Sequence, residues 1–133
     1  MKTVLTFGVY DMLHIGHINL FKKAKALGDK LIVAVQHDSI IKKYKPNAEI
    51  QYKIEERIFM VDSIKYVDEV IVYEDVDKDI QNISFDILAK GPDQIHEGFV
   101  RAVKWCNDNG KEVVILPRTE DISSTLMRIK YLK

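Results

Sequence analysis

The chain has a single cysteine, Cys106, so no internal disulfide can staple it. It also lacks an excess of either charge: twenty Lys and Arg balance twenty Asp and Glu, and the bulk field gives no reason to expect nucleic acid or a membrane surface as a partner. Any anion must therefore be bound by local placement. No apolar run approaches the roughly 20 residues that span a bilayer. No N-terminal stretch has the charged start and apolar middle of a signal peptide, and no repeat or low-complexity tract occurs. These absences leave the expectation of one cytoplasmic domain over residues 1–133, long enough to bury a core unaided.

What is present concentrates first at Thr6 to Ile18. The apolar run Val4, Leu5, Phe7 halts at Gly8, a loop carries Asp11, and His14 and His17 flank Gly16 where a helical pattern begins. A strand, a turn and a helix start with polar groups at the join is the arrangement by which open α/β sheets bind ligands. The helix's first N–H groups are unpaired, and the strand's carboxyl end opens into a crevice.

The same alternation runs on through the chain. Ile18, Phe21, Ala24 and Leu27 recur at helical spacing up to Gly28, and Leu31 to Val35 is apolar throughout, as in a strand covered on both faces. Gln36 to Lys53 is polar, without clear period, and reads as a loop. Ile54 to Ile64 predicts a helix with Arg57 among its polar positions, and Val70 to Tyr73 a strand. A short helix is expected near Ile80, a strand over Phe85 to Ala89 ending in Lys90-Gly91-Pro92-Asp93, a helix from Glu97 to Asn109, a strand from Glu112 to Leu116, and a last amphipathic helix with Leu126, Ile129 and Leu132. This pattern predicts an α/β fold: one five-stranded parallel sheet with helices on both faces. The polar segments that follow the strands should meet at one rim.

His14 and His17 lie on one helical face, and Gly16 between them opens a close approach. Imidazole donors at a helix N-terminus suit a polyphosphate. Taken on spacing alone, the pair could instead bind zinc or sit idle on the surface. A zinc site wants further ligands, and only the scattered His37, His96 and Cys106 are on offer. Asp11 better suits a magnesium ion shared with substrate phosphates. Trp105 and Cys106, within an amphipathic helix, read as packing.

The string Gly8-Val9-Tyr10-Asp11-Met12-Leu13-His14-Ile15-Gly16-His17 resembles the nucleotidylyltransferase superfamily, and most closely its glycerol-3-phosphate cytidylyltransferase family. Arg118 to Thr125 is similar to that family's Arg-Thr-Glu-Gly-Ile-Ser-Thr-Thr motif, with Asp121 in place of the Gly and Ser124 in place of a Thr. Lys65-Tyr66-Val67-Asp68-Glu69-Val70 is similar to its Arg-Tyr-Val-Asp-Glu-Val, with Lys for Arg, and Gly91-Pro92-Asp93 to its Gly-Asp-Asp turn.

The resemblance implies a Rossmann-like fold and a homodimer. The implied reaction moves a cytidylyl group from CTP to glycerol 3-phosphate, releasing pyrophosphate and giving CDP-glycerol for teichoic acid or capsule synthesis, with Mg²⁺ as cofactor. It implies catalytic roles for His14, His17, Arg118 and Lys65. Nucleotide contacts would fall to Phe7, Gly8, Val9, Asp11, Gly16, Asp93, Arg118, Thr119, Ser123 and Ser124, and acceptor contacts to Asp11, Lys43, Lys45, Arg57 and Lys65. The departures at Lys65, Asp121 and Pro92, and a basic loop longer than the family's, leave room for three rivals. These are another polyol phosphate as acceptor, an adenylyltransferase using ATP, and a catalytically silent nucleotide-binding module.

Overall fold

The computed structural model describes residues 1–44, 47 and 50–117. Lys45, the Arg118 to Thr125 motif with Thr119, Ser123 and Ser124, and the expected last helix lie outside the described residues.

Five strands, β1 (Thr3–Gly8), β2 (Lys30–Gln36), β3 (Glu69–Tyr73), β4 (Ile87–Lys90) and β5 (Glu112–Ile115), form one sheet in the order β3-β2-β1-β4-β5. Every pairing is parallel. The helices are α1 (Ile15–Lys25), α2 (Asp38–Tyr44), α3 (Ile54–Asp62), α4 (Val76–Asp79) and α5 (Glu97–Asp108).

Strand alternation divides the core between the two faces of the sheet. From β1, Val4 turns to one side and packs with Phe21 and Ala24 of α1 and Ile54 and Val61 of α3. Leu5 and Phe7 turn to the other and pack with Val76 of α4 and Phe99, Ala102 and Cys106 of α5. Trp105 rests on Phe85, 6.2 Å between ring centroids, so both residues read as packing are packing. Gly28 is required by close approach: a Cβ there would stand 2.7 Å from the Lys2 carbonyl oxygen.

Two features depart from the sequence reading. The supposed loop after β2 contains α2, whose seven residues are too few for a period to show. The fourth strand begins at Ile87, because Asp86 is engaged across the sheet's lower edge, its carboxylate accepting from the Thr3 amide at 2.9 Å.

Chain order sends β2 and β3 to one side of β1 and β4 and β5 to the other. The direction of winding therefore reverses between β1 and β4. Outside the carboxyl ends of these two strands the loops part, and an open α/β sheet forms its ligand crevice at such a point.

Candidate active site

The loop leaving β1 is built around a constrained backbone. Tyr10 holds φ at 56°, left-handed for a residue with a side chain, and its ring folds back over Gly8. A Cβ on Gly8 would stand 2.5 Å from that ring, so only glycine fits. The Tyr10 ring meets His17 edge-on at 5.3 Å and Phe21 at 5.2 Å. Its hydroxyl is directed toward Thr6, yet among the described residues neither hydroxyl reaches a hydrogen-bond partner; burial pushes the phenol well above its usual range, with the nearby Thr6 hydroxyl a lesser, opposing influence.

His14 caps α1: its Nδ1 accepts from the Gly16 amide at 3.0 Å, while the His14 amide donates to His17 Nδ1 at 3.2 Å. This reciprocal cap fixes the chemistry of both rings. With each Nδ1 accepting, a neutral ring carries its proton on Nε2 and presents that N–H away from the helix backbone. The rings are stacked, 4.0 Å between centroids. Burial, with the neighbouring His14 as a lesser cause, pushes His17 down to about 4. His17 is accordingly a neutral hydrogen-bond donor at physiological pH.

Asp11 is buried and serves the fold. Its two carboxylate oxygens accept from the Gln51 amide at 2.9 Å each, and one also accepts from the Tyr52 amide at 2.9 Å. Both oxygens are thus engaged by the segment that leads into α3. Among the described residues, no three His, Cys, Asp or Glu converge into a metal-binding group.

Arg57 is also reassigned. Far from a solvated helix position, it is fully buried, donating from Nε to Tyr52 O at 3.1 Å, from Nη1 to Val9 O at 2.8 Å and Gln36 O at 2.9 Å, and from Nη2 to the Asp38 carboxylate. It ties the ends of β1 and β2 to α2 and α3 and so shapes the rim. Asp38 completes the knot by accepting from the Ile54 amide at 3.2 Å.

Lys65 leads into β3 and so stands at the amino edge of the sheet, the end opposite His14 and His17, with Nζ 5.1 Å above the Tyr66 ring. Its motif is explained there by Asp68, whose carboxylate accepts from the Leu31 amide at 2.7 Å and from Lys25; those bonds hold it below the usual carboxylate range.

The remaining candidates divide between core and rim. The Phe7 side chain is core, edge-on to Tyr73 at 4.9 Å, and its carbonyl accepts from Gln94 Nε2 at 2.6 Å. Val9 likewise offers its carbonyl to Arg57, leaving Gly8 and Gly16 as backbone on the histidine side. Asp93 is exposed in the turn after β4, and Lys43 is exposed on α2 after β2; both stand on the carboxyl side of the sheet. Four residues escaped notice at the level of sequence: Tyr10, Asp38, Gln94 and Lys90. Only Lys90 left a signal, as a cation closing an apolar strand.

Residues 5–130 match the family model described as "Cytidylyltransferase-like". The chain is 40% identical over 131 residues to a glycerol-3-phosphate cytidylyltransferase of Bacillus subtilis, covering 96% of this chain and 95% of that one. It is 43% identical over 94 residues to an FAD synthase of Pyrococcus abyssi, covering 68% of this chain and 63% of that one. Among solved structures it is similar to a lipopolysaccharide core biosynthesis protein from Thermoplasma volcanium, with a TM-score of 0.71 and 31% identity over 90% of this chain and 97% of that one.

Proposed function

The chain belongs to the cytidylyltransferase-like family, and from that premise we propose that it transfers CMP from CTP to glycerol 3-phosphate, giving CDP-glycerol and pyrophosphate. One observation carries the reading: two histidines, each held with Nδ1 accepting, stand at the carboxyl end of β1, beside the point where the sheet reverses.

The acceptor's phosphate is an anion at neutral pH, so its attack on the α-phosphorus needs no strong general base. An oxygen–phosphorus bond forms to the acceptor as the bond to pyrophosphate breaks, and negative charge moves onto the leaving group. His14 and His17, donating from Nε2, stabilise that charge in a site where the donors are already oriented. Arg118, Thr119, Ser123 and Ser124 belong to the leaving-group side in this reading, and Asp93 to the nucleotide's edge. Lys43 and Lys45 belong to the acceptor's side. A magnesium ion, if bound, would be held by the CTP phosphates and would offset their charge; no described side chain is assigned to it. The active species is a homodimer, serving teichoic acid or capsule synthesis in the cytoplasm.

The similarity to an FAD synthase supports a second reading, adenylyl transfer from ATP. Pyrophosphate release measured with CTP and with ATP, each against glycerol, ribitol and larger polyol phosphates, separates the two. The expected result is release only with CTP, fastest with glycerol 3-phosphate. Release with ATP alone overturns the proposal, and CTP binding without release under any acceptor makes the chain a silent nucleotide-binding module.

A further inference from the structure

Lys90 ends β4 with only 6% of its surface exposed, and its ammonium has one neutral acceptor, the Gly91 carbonyl at 3.2 Å. Among the described residues no carboxylate pairs with it. Taking an ammonium out of water without a counter-charge is costly, and an anionic ligand at this end of the sheet would supply one.

Its position says where such an anion would sit. The bond to Gly91 holds the ammonium at the carboxyl end of the strand, and a Cβ on Gly91 would meet nothing within 4 Å, so the backbone there borders open space. β4 is the direct neighbour of β1, whose following loop brings His14 and His17. Lys90 shares a strand face with Leu88, which packs beside Phe7 and Phe99 on the side of the sheet opposite α1. A ligand lying across the β1/β4 edge would have the two imidazoles on one flank and the Lys90 ammonium on the other.

We propose that Lys90 is a substrate-binding residue whose ammonium pairs with an anionic phosphate oxygen at the β1/β4 edge. The phosphate comes either from the nucleotide or from the phosphorylated acceptor, and only this choice of source rests on the nucleotidyl-transfer reading above.

Lys90→Met keeps the length and apolar stem while deleting the charge. Calorimetric titration with CTP, glycerol 3-phosphate and inorganic pyrophosphate, each alone, is compared with thermal unfolding of the same protein. The variant is expected to unfold at the same temperature or higher, since a buried charge with no carboxylate partner among the described residues is gone. Its affinity for the compound bearing the recognised phosphate should fall about tenfold or more, as for loss of a charged hydrogen bond. A fall for CTP and pyrophosphate assigns the nucleotide, and a fall for glycerol 3-phosphate alone assigns the acceptor. Unchanged affinities, or a parent protein that binds none of the three, overturn the proposal. If the variant loses stability and affinity together, Lys90→Arg decides: affinity regained supports the charge, and affinity still absent refutes it. Pyrophosphate binding that depends on Lys90 in a protein without CTP turnover keeps the site and sinks only the cytidylyl reading.

Discussion

His17 works through both of its ring nitrogens. Nδ1 holds the amide that starts α1, and Nε2 is the donor offered to a ligand. His17→Ala should therefore lower turnover by on the order of 10²–10³ while costing about 1 kcal/mol of stability through the lost cap. Steady-state rates and denaturant unfolding measure the two separately. Near-normal turnover would remove His17 from the mechanism. Its titration carries a second expectation. Folding favours the neutral ring, so stability is full above the unfolded value of 6.5 and is lost as pH falls toward about 4. The stability difference between the parent and His17→Gln should narrow across that window, and the ring's NMR titration should centre near 4; a midpoint near 6.5 would contradict the burial argument. Tyr10 offers a sharper packing test. Its hydroxyl is buried with no hydrogen-bond partner among the described residues, so Tyr10→Phe should leave stability unchanged or raise it by up to about 1 kcal/mol.

Among the elements, the knot around Arg57 decides how firmly the rim is built. Four segments converge on one guanidinium: the loop after β1, the end of β2, the start of α2 and the turn before α3. Arg57→Met should destabilise the fold by about 3–5 kcal/mol, because it strands Asp38 and three carbonyls. Calorimetric unfolding checks this, and a loss under about 1 kcal/mol would return Arg57 to the acceptor-binding candidates. At this scale the sequence was readable wherever burial imposes a period. β1, β2, α1 and α5 announce themselves because whole faces of them are apolar. α2 did not, since its seven residues are held by Asp38 and the ends of neighbouring strands more than by any stripe of their own. Arg57 reads as a surface residue in any periodic scheme; only the carbonyls gathered around it from distant segments make its burial intelligible.

For the molecule as a whole, parallel topology sorts candidates that sequence order cannot. Residues following strands gather at one end and residues preceding them at the other, which keeps His14, His17, Lys90 and Asp93 together and sends Lys65 away. The histidine pair was legible because its chemistry is local, compressed into four consecutive positions of one helix start. Lys90 showed only as a cation closing an apolar strand; its burial appears once the neighbouring strands are in place. A fifth expectation belongs to this scale: with pyrophosphate release as the readout, CTP should serve and ATP should not.

The Asp11 and Asp38 bonds bear on how the rim comes apart. Asp11 pins the amides of Gln51 and Tyr52, and Asp38 pins Ile54 to the start of α2, so the entry to α3 is fastened to the loop after β1 and to α2 at once. Losing either carboxylate frees that entry from one wall of the rim while the other still holds it.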